Sequence, residues 1–151
     1  MDALTRTLSR LRGQRVYIDT NFFIYFLTRH SEGFEAAAAV LQACDAGEVI
    51  GCAGDAVVAE LLVKPYRDGD SAAASGIRQL FARKDFVERL PHDAASFELA
   101  AEIRGKQGGK LIDALHYATA LRGGCRHLLT NDHGFISTGH MTVLCLADFA
   151  P

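Results

Sequence analysis

The stretch from Val16 to Asn21 constrains the fold most strongly. Val16, Tyr17 and Ile18 form an apolar run typical of a buried parallel strand, and the run ends abruptly in Asp19. Thr20 or Asn21 can cap the helix that residues 22–27 would form. Asp19 is then expected at the carboxyl end of a strand, the edge at which open α/β sheets bind ligands. A helix cap or a turn would explain this carboxylate equally well.

Apolar runs and amphipathic segments alternate along the rest of the chain. Helix stop and start signals predict helices over residues 31–47, 56–64, 69–84, 93–106 and 110–122, with Asp55 as a cap and Pro65 as a bend or end. Strands are expected over residues 48–53, 85–90, 127–130 and 141–144. This alternation predicts one domain over residues 1–151, an α/β fold with a parallel sheet of about five strands covered on both faces.

Composition narrows the class of protein. A chain of 151 residues with 49% hydrophobic and 23% charged residues is ordinary for one globular core. No apolar run approaches the ~20 residues of a membrane span, and the N-terminus lacks a signal-peptide core, so we expect a cytoplasmic protein without a membrane partner. Its four cysteines are widely spaced, which argues against a zinc or redox motif. Because the net charge is −2, a nucleic acid would have to be held by local basic patches or through metal ions.

Asp113 is the exception in a helix that is apolar nearly all round. At 100° per residue it shares one face with His116, Tyr117 and Ala120. A buried carboxylate requires a cation, hydrogen-bond donors or a helix N-terminus. In the first helical turn, Asp113 would also complement the helix dipole, and this explanation stays open at this point.

Glu60 and Asp132 are likewise either ligands of a cation or ordinary structural charges. Glu60 lies among apolar residues of the third helix, where an ion pair with Lys64 at i+4 is the alternative. Asp132 follows another apolar run, so it can meet Asp19 at one edge of the sheet. Four acids in such settings are poorly explained as surface charges alone, and together they indicate a site for a hard cation.

Four short motifs carry a family resemblance: Tyr17-Ile18-Asp19-Thr20-Asn21, Ala59-Glu60-Leu61, Leu111-Ile112-Asp113-Ala114-Leu115-His116 and Leu129-Thr130-Asn131-Asp132. In this order and approximate spacing they resemble the PIN-domain family of small nucleases, many of which are the toxin halves of VapBC toxin-antitoxin pairs. The resemblance spans nearly the whole chain. It implies a three-layer α/β/α sandwich, a divalent-metal ribonuclease, and Asp19, Glu60, Asp113 and Asp132 as the acidic cluster. Asp55 stands where many relatives have Ser or Thr, and as a cap it is equivalent.

Mg²⁺ or Mn²⁺ is the cofactor that such a cluster implies, because both ions prefer oxygen ligands. A metal-bound water would attack the RNA phosphodiester. We expect Asp19 and Asp113 closest to the principal ion, with Glu60 and Asp132 holding water or a second ion. Thr20, Asn21 and Thr130 are expected to donate hydrogen bonds that fix the carboxylates.

Substrate and partners follow less directly. Lys64, Arg104, Lys106 and Lys110 could contact RNA phosphates, or be ordinary solvated charges. The resemblance implies a homodimer and an antitoxin that places a basic side chain among the acids. Aromatic residues at positions 22, 23, 25, 26 and 34 belong mostly to the core, or else form a groove for the antitoxin's helix.

Two other functions remain open. A receiver-type phosphoacceptor module also places acids around Mg²⁺ at the carboxyl edge of a sheet. It resembles the chain less, because such a module uses an adjacent acidic pair early, whereas Asp19 stands single. A PIN fold retained only as a binding scaffold is the second alternative, and the presence of all four acids argues against it.

Overall fold

The computed structural model describes residues 1–132, 134–135 and 137–151. The strands in these residues are β1 (Arg15–Ile18), β2 (Ile50–Gly54), β3 (Val87–Leu90), β4 (His127–Leu129) and β5 (Thr142–Leu144). The helices are α1 (Ala3–Leu11), α2 (Thr20–Leu27), α3 (Phe34–Asp45), α4 (Asp55–Arg67), α5 (Ser71–Ala82), α6 (Ala94–Gln107) and α7 (Leu111–Arg122). A short 3-10 helix follows at Leu146–Phe149.

The five strands form one parallel sheet in the order β3-β2-β1-β4-β5. The central strand β1 pairs with β2, with Tyr17 opposite Cys52, and with β4, with Ile18 opposite Leu129. The chain winds outward in one direction through β2 and β3 and in the other through β4 and β5. A crevice therefore opens at the carboxyl ends of β1 and β4, where an open α/β sheet binds its ligands.

Helices cover both faces of the sheet. Tyr17 and Ile18 point to opposite faces because they are consecutive strand residues, and both are fully buried. On one face the Tyr17 hydroxyl contacts His116 of α7. On the other face Ile18 and Cys44 of α3 both lie beside Gly51 of the neighbouring strand β2. The predicted three-layer α/β/α arrangement with a parallel sheet is confirmed.

Helix α1 was not expected from the sequence. Asp2 caps it by accepting a hydrogen bond from the Thr5 backbone N–H at 2.7 Å. Leu4, Leu8 and Leu11 then face the core at helical spacing. The cap and this spacing are present in the sequence and could have revealed the helix.

Helix α4 differs from its prediction at both ends. Its N-cap is Gly54, while the Asp55 carboxylate pairs with Arg89 at 2.8 Å and caps nothing. The helix continues through Pro65 to Arg67. Pro65 has no N–H and so costs the helix one hydrogen bond, but α4 ends only two residues later.

The aromatic residues of α2 divide between core and surface contacts. Phe22 and Phe23 are fully buried, and the Phe23 ring packs on Phe81 of α5 at a centroid distance of 5.0 Å. They cannot line a groove. The exposed apolar residues of this helix are Ile24 and Leu27. In the part of the chain that the structure describes, no helix has the length and apolar character needed to cross a membrane.

Candidate metal centre

Asp19 lies where β1 ends and α2 begins. It is the N-cap of α2, a position that the sequence assigned to Thr20 or Asn21. One carboxylate oxygen accepts the Thr20 backbone N–H at 2.8 Å, and the other accepts the Thr130 hydroxyl at 2.8 Å. With only 8% of its surface exposed, Asp19 is held rigidly at the bottom of the crevice.

Glu60 approaches Asp19 from the middle of α4. Its Oε1 accepts hydrogen bonds from the Thr20 hydroxyl at 3.1 Å and from His116 Nε2 at 2.7 Å. The hydrogen bond from His116 is the main reason that the pKa of Glu60 is lowered from its ordinary value. The carboxylate, whose side chain is 43% exposed, is therefore ionised at neutral pH.

His116 completes this group from the sheet-facing side of α7. Possible ligand atoms of Asp19, Glu60 and His116 lie within 4.8 Å of one another. The sequence placed His116 on the face of Asp113 but gave it no role. Within the described ranges, Asp113 and Asp132 stand outside this tight group.

Asp113 lies half-buried in the first turn of α7, where the charges of Asp132 and Asp19 act on its carboxyl group. Burial raises its pKa above the ordinary value, and the negative charges of Asp132 and Asp19 raise it further. Asp132 is exposed; its backbone N–H donates to the Thr130 hydroxyl at 3.1 Å, and its Oδ1 accepts the Gly134 N–H at 2.8 Å. Asp113 is thus within electrostatic range of Asp19 and Asp132, whereas Glu60 approaches Asp19 in the group completed by His116.

A family model described as PIN domain matches residues 16–141, which include all four acids. The chain belongs to the PIN-domain family.

Solved structures with this fold include toxin-antitoxin proteins. A toxin-antitoxin complex from Klebsiella pneumoniae is similar at TM-score 0.66 and 19% identity, over 87% of this chain and 97% of that one. VapBC2 from Rickettsia felis, bound to a promoter DNA fragment, is similar at TM-score 0.66 and 16% identity, over 87% of this chain and 98% of that one. The sarcin-ricin loop cleaving toxin VapC20 from Mycobacterium tuberculosis is similar at TM-score 0.59 and 16% identity, over 75% of this chain and 86% of that one. A search of curated proteins found no match. At these identities the likeness shows the fold alone.

The acids of this PIN domain suit a hard divalent cation. Carboxylate oxygens are the ligands that Mg²⁺ and Mn²⁺ prefer. In the part of the chain described, neither Asp19 nor Glu60 forms an ion pair with Lys or Arg, and both are paired only with His116. Negative charge therefore accumulates in the crevice, and the charges of Asp132 and Asp19 add to the effect of burial in raising the pKa of Asp113.

Two of the three residues expected to donate hydrogen bonds to the carboxylates of this PIN domain do so. Thr20 and Thr130 donate hydroxyl hydrogen bonds to Glu60 and Asp19, respectively. The hydrogen bond at Asn21 does not go to a carboxylate, because its Oδ1 accepts the Asn131 backbone N–H at 3.3 Å. Asn21 therefore ties α2 to the segment that follows β4.

The four basic residues expected near the site fall into two pairs. Lys64 and Lys106 form i,i+4 ion pairs, Lys64 with Asp68 at 2.5 Å and Lys106 with Glu102 at 2.6 Å. Arg104 and Lys110 instead line a surface depression beside the α6–α7 connection. Lys110 also borders a cavity that Asp113 and Tyr117 line. Of these four basic residues, Lys110 is thus the one that shares a cavity with Asp113.

His92 was missed by sequence reasoning. It follows β3, and its Nε2 accepts the Ala56 backbone N–H at 3.0 Å, supplying the capping bond that neither Gly54 nor Asp55 provides. Its Nδ1 lies 2.6 Å from the Thr119 hydroxyl of α7. Burial lowers the pKa of His92 below its ordinary value. A neutral His92 therefore links α4, which carries Glu60, to α7.

Proposed function

We propose that this PIN domain is a divalent-metal-dependent ribonuclease that hydrolyses RNA phosphodiester bonds as the toxin of a toxin-antitoxin pair. The observation that carries the proposal is the approach of Asp19 and Glu60, whose possible ligand atoms lie within 4.8 Å of each other and of His116. Neither carboxylate has a Lys or Arg partner among the described residues. Asp113 of α7 lies near enough for the charge of Asp19 to add to the effect of burial in raising its pKa.

In this proposal Asp19 and Asp113 bind the principal Mg²⁺ or Mn²⁺ ion, and Glu60 and Asp132 hold water or a second ion. When bound, the ion supplies hydroxide from a coordinated water and neutralises charge on the phosphate. Asp19 is held in place by Thr20 and Thr130, so it presents a fixed ligand. Lys110 and Arg104 would bind phosphates that flank the cleaved bond.

An antitoxin protein is the proposed partner, and the proposed assembly is a cytoplasmic homodimer bound to it. The support is the fold shared with toxin-antitoxin complexes from Klebsiella pneumoniae and Rickettsia felis. The crevice adds a physical reason: clustered carboxylates without their metal attract an inserted Arg or Lys side chain. Membership of the PIN family argues against the receiver-type module.

The decisive experiment incubates the purified protein with RNA in the presence of Mg²⁺, Mn²⁺ or a chelator. We expect cleavage with either ion, loss of cleavage with the chelator, and loss in Asp19→Asn and Asp113→Asn. The control is Glu98→Gln, which removes an exposed carboxylate of α6. RNA binding without cleavage under any metal condition would favour the scaffold alternative. Cleavage by the chelator-treated protein, or wild-type rates in both aspartate variants, would refute the metal mechanism.

A further inference from the structure

The His116 imidazole is clamped between the core and the acidic cluster. Only 2% of its surface is exposed. Its Nδ1 lies 2.6 Å from the Tyr17 hydroxyl, and its Nε2 lies 2.7 Å from Glu60 Oε1 and 3.9 Å from Asp19 Oδ1. Each ring nitrogen therefore has one close partner, and the direction of the two hydrogen bonds decides what the ring does.

Tyr17 determines that direction. The Gly54 backbone N–H donates to the Tyr17 oxygen at 3.0 Å, so this oxygen acts as an acceptor on one side. Burial raises the pKa of Tyr17, with the charge of Asp19 adding to the effect, so the hydroxyl keeps its proton. Among the described residues the remaining hydrogen-bond partner of that proton is His116 Nδ1. Nδ1 thus accepts, and a neutral ring carries its proton on Nε2.

The close approach depends on a glycine. A Cβ atom at position 54 would lie 2.7 Å from the Tyr17 oxygen and 2.4 Å from the His92 ring. Only glycine lets the backbone N–H reach the Tyr17 hydroxyl. The end of β2, the middle of β1 and the face of α7 are therefore joined in one hydrogen-bonded chain: Gly54, Tyr17, His116 and Glu60.

This chain ends on one oxygen of Glu60. His116 and Thr20 both donate to Oε1, and the described residues provide no hydrogen bond to Oε2. A glutamate on a half-exposed helix surface otherwise samples many rotamers. With Oε1 tethered from two sides, Oε2 is the oxygen that stays available as a ligand.

We propose that Tyr17 and His116 are positioning residues of the metal centre. His116 is not itself a ligand, because Nε2 carries a proton, and Tyr17 fixes this tautomer so that the N–H orients Glu60. This inference rests on the proposed ribonuclease function for its kinetic readout, but its spectroscopic readout is independent of that function.

The first test measures the tautomer by long-range ¹H–¹⁵N NMR on protein labelled at histidine, without metal and with Mg²⁺. We expect His116 to be protonated at Nε2 and unprotonated at Nδ1 in both states. In Tyr17→Phe we expect this preference to weaken. Protonation of wild-type His116 at Nδ1, or loss of the Nε2 proton on adding Mg²⁺, would overturn the proposal, because Nε2 would then be free to bind the ion.

The second test compares Tyr17→Phe with Tyr25→Phe, which removes the hydroxyl of a half-buried tyrosine of α2. Residues that orient metal ligands typically change metal affinity or activity by about 10- to 100-fold, so we expect Tyr17→Phe to lower kcat or Mn²⁺ affinity by such a factor. KM for RNA should not change, and Tyr25→Phe should behave like wild type. Equal kinetics in both variants would contradict the positioning role.

Two replacements of His116 distinguish its hydrogen bond to Glu60 from the packing of its buried ring. His116→Gln retains an amide N–H that can donate to Glu60, whereas His116→Leu does not. We expect the Gln variant to retain more activity than the Leu variant, and equal loss in both would argue against donation. If the wild-type protein cleaves no RNA under any metal condition, the proposed function fails, and the NMR result still decides the role of His116.

Discussion

Thr130 donates its hydroxyl hydrogen bond to Asp19 at 2.8 Å and so joins the ends of two adjacent strands across 111 residues of sequence. Thr130 is fully buried, and the same hydroxyl oxygen accepts the backbone N–H of Asp132. A single side chain thereby arranges two of the four acids.

Removal of this hydroxyl should damage the site. Thr130→Val keeps the shape but leaves the Asp19 oxygen and the Asp132 N–H without their partner. We expect a loss of about 1–3 kcal/mol in unfolding free energy and weaker Mn²⁺ binding. Thr130→Ser retains the hydroxyl and should keep metal binding near wild type. Urea unfolding and Mn²⁺ titration check both variants, and equal Mn²⁺ affinity in the two would show that the hydroxyl does not order the acids.

Asp113→Asn should stabilise the metal-free protein at neutral pH. The pKa of Asp113 is raised by burial and by its acidic neighbours, so its ionised form is disfavoured in the fold. Wild type therefore loses stability as pH rises from the ordinary value of 3.8 through the raised pKa, whereas the Asn variant does not. Urea unfolding in a chelator should show a difference that disappears at low pH. Addition of Mg²⁺ should stabilise wild type more than the variant.

His92 should make stability sensitive to mild acid. Its pKa in the fold lies below the ordinary 6.5, chiefly because burial disfavours the charged ring. The neutral His92 ring therefore contributes its full stabilisation of the fold above pH 6.5, and this contribution is lost as pH falls through the lowered pKa of His92. His92→Gln does not titrate, so its unfolding free energy should fall less steeply. The difference between the two proteins cancels the effect of His127, whose pKa is also lowered by burial. Parallel pH profiles would exclude His92 as the cause.

Arg104 and Lys110 should contribute more to RNA binding than Lys64 and Lys106. The two lysines of the second pair already face a carboxylate four residues away. For a single strand, each phosphate that the protein no longer neutralises should reduce the slope of log K against log salt by about 0.7. We expect about twice this reduction in the Arg104→Ala, Lys110→Ala double variant, which loses two positive charges, and none in Lys64→Ala, Lys106→Ala. Binding measured with Asp19→Asn, so that RNA is not cut, gives the slopes. Equal slopes in the two double variants would contradict a specific role of Arg104 and Lys110 in RNA binding.

An inhibiting antitoxin should compete with metal. If it inserts a basic side chain among Asp19, Glu60 and Asp113, inhibition of ribonuclease activity should weaken as Mg²⁺ is raised. Replacement of the antitoxin's basic residues should abolish this competition. The measurement is a titration of activity with the protein encoded beside this gene at several Mg²⁺ concentrations. Inhibition that is independent of both changes would place control outside the acidic crevice.

The strand and acid positions were predictable because their signals are local. Val16 to Ile18 and Leu128 to Leu129 are short apolar runs, and each is followed within a few residues by a carboxylate. Helix α1 also had a local signal in its Asp2 cap, and it was overlooked. The continuation of α4 for two residues past Pro65 was not predictable, because a proline only makes a helix end probable at the residue before it.

The hydrogen-bonded partners were not predictable in the same way. Tyr17 and His116 lie 99 residues apart, and His92 caps α4 through Ala56, which lies 36 positions before it. Such pairings exist only after the sheet has brought β1, β2 and β3 side by side. No residue pattern near His116 distinguishes a hydrogen-bond donor from a metal ligand, because the distinction depends on Tyr17 and Gly54.

The strand order β3-β2-β1-β4-β5 has a consequence for the order in which a ribosome makes the protein. Three of the five strands, β1, β2 and β3, are adjacent in the sheet and can assemble while β4 is still being translated. At that stage Asp19 and Glu60 already exist, but the Thr130 hydroxyl that fixes Asp19 does not. The acidic crevice is complete only after Thr130 and Asp132 have been synthesised. A nascent chain that ends before β4 therefore does not carry a finished crevice.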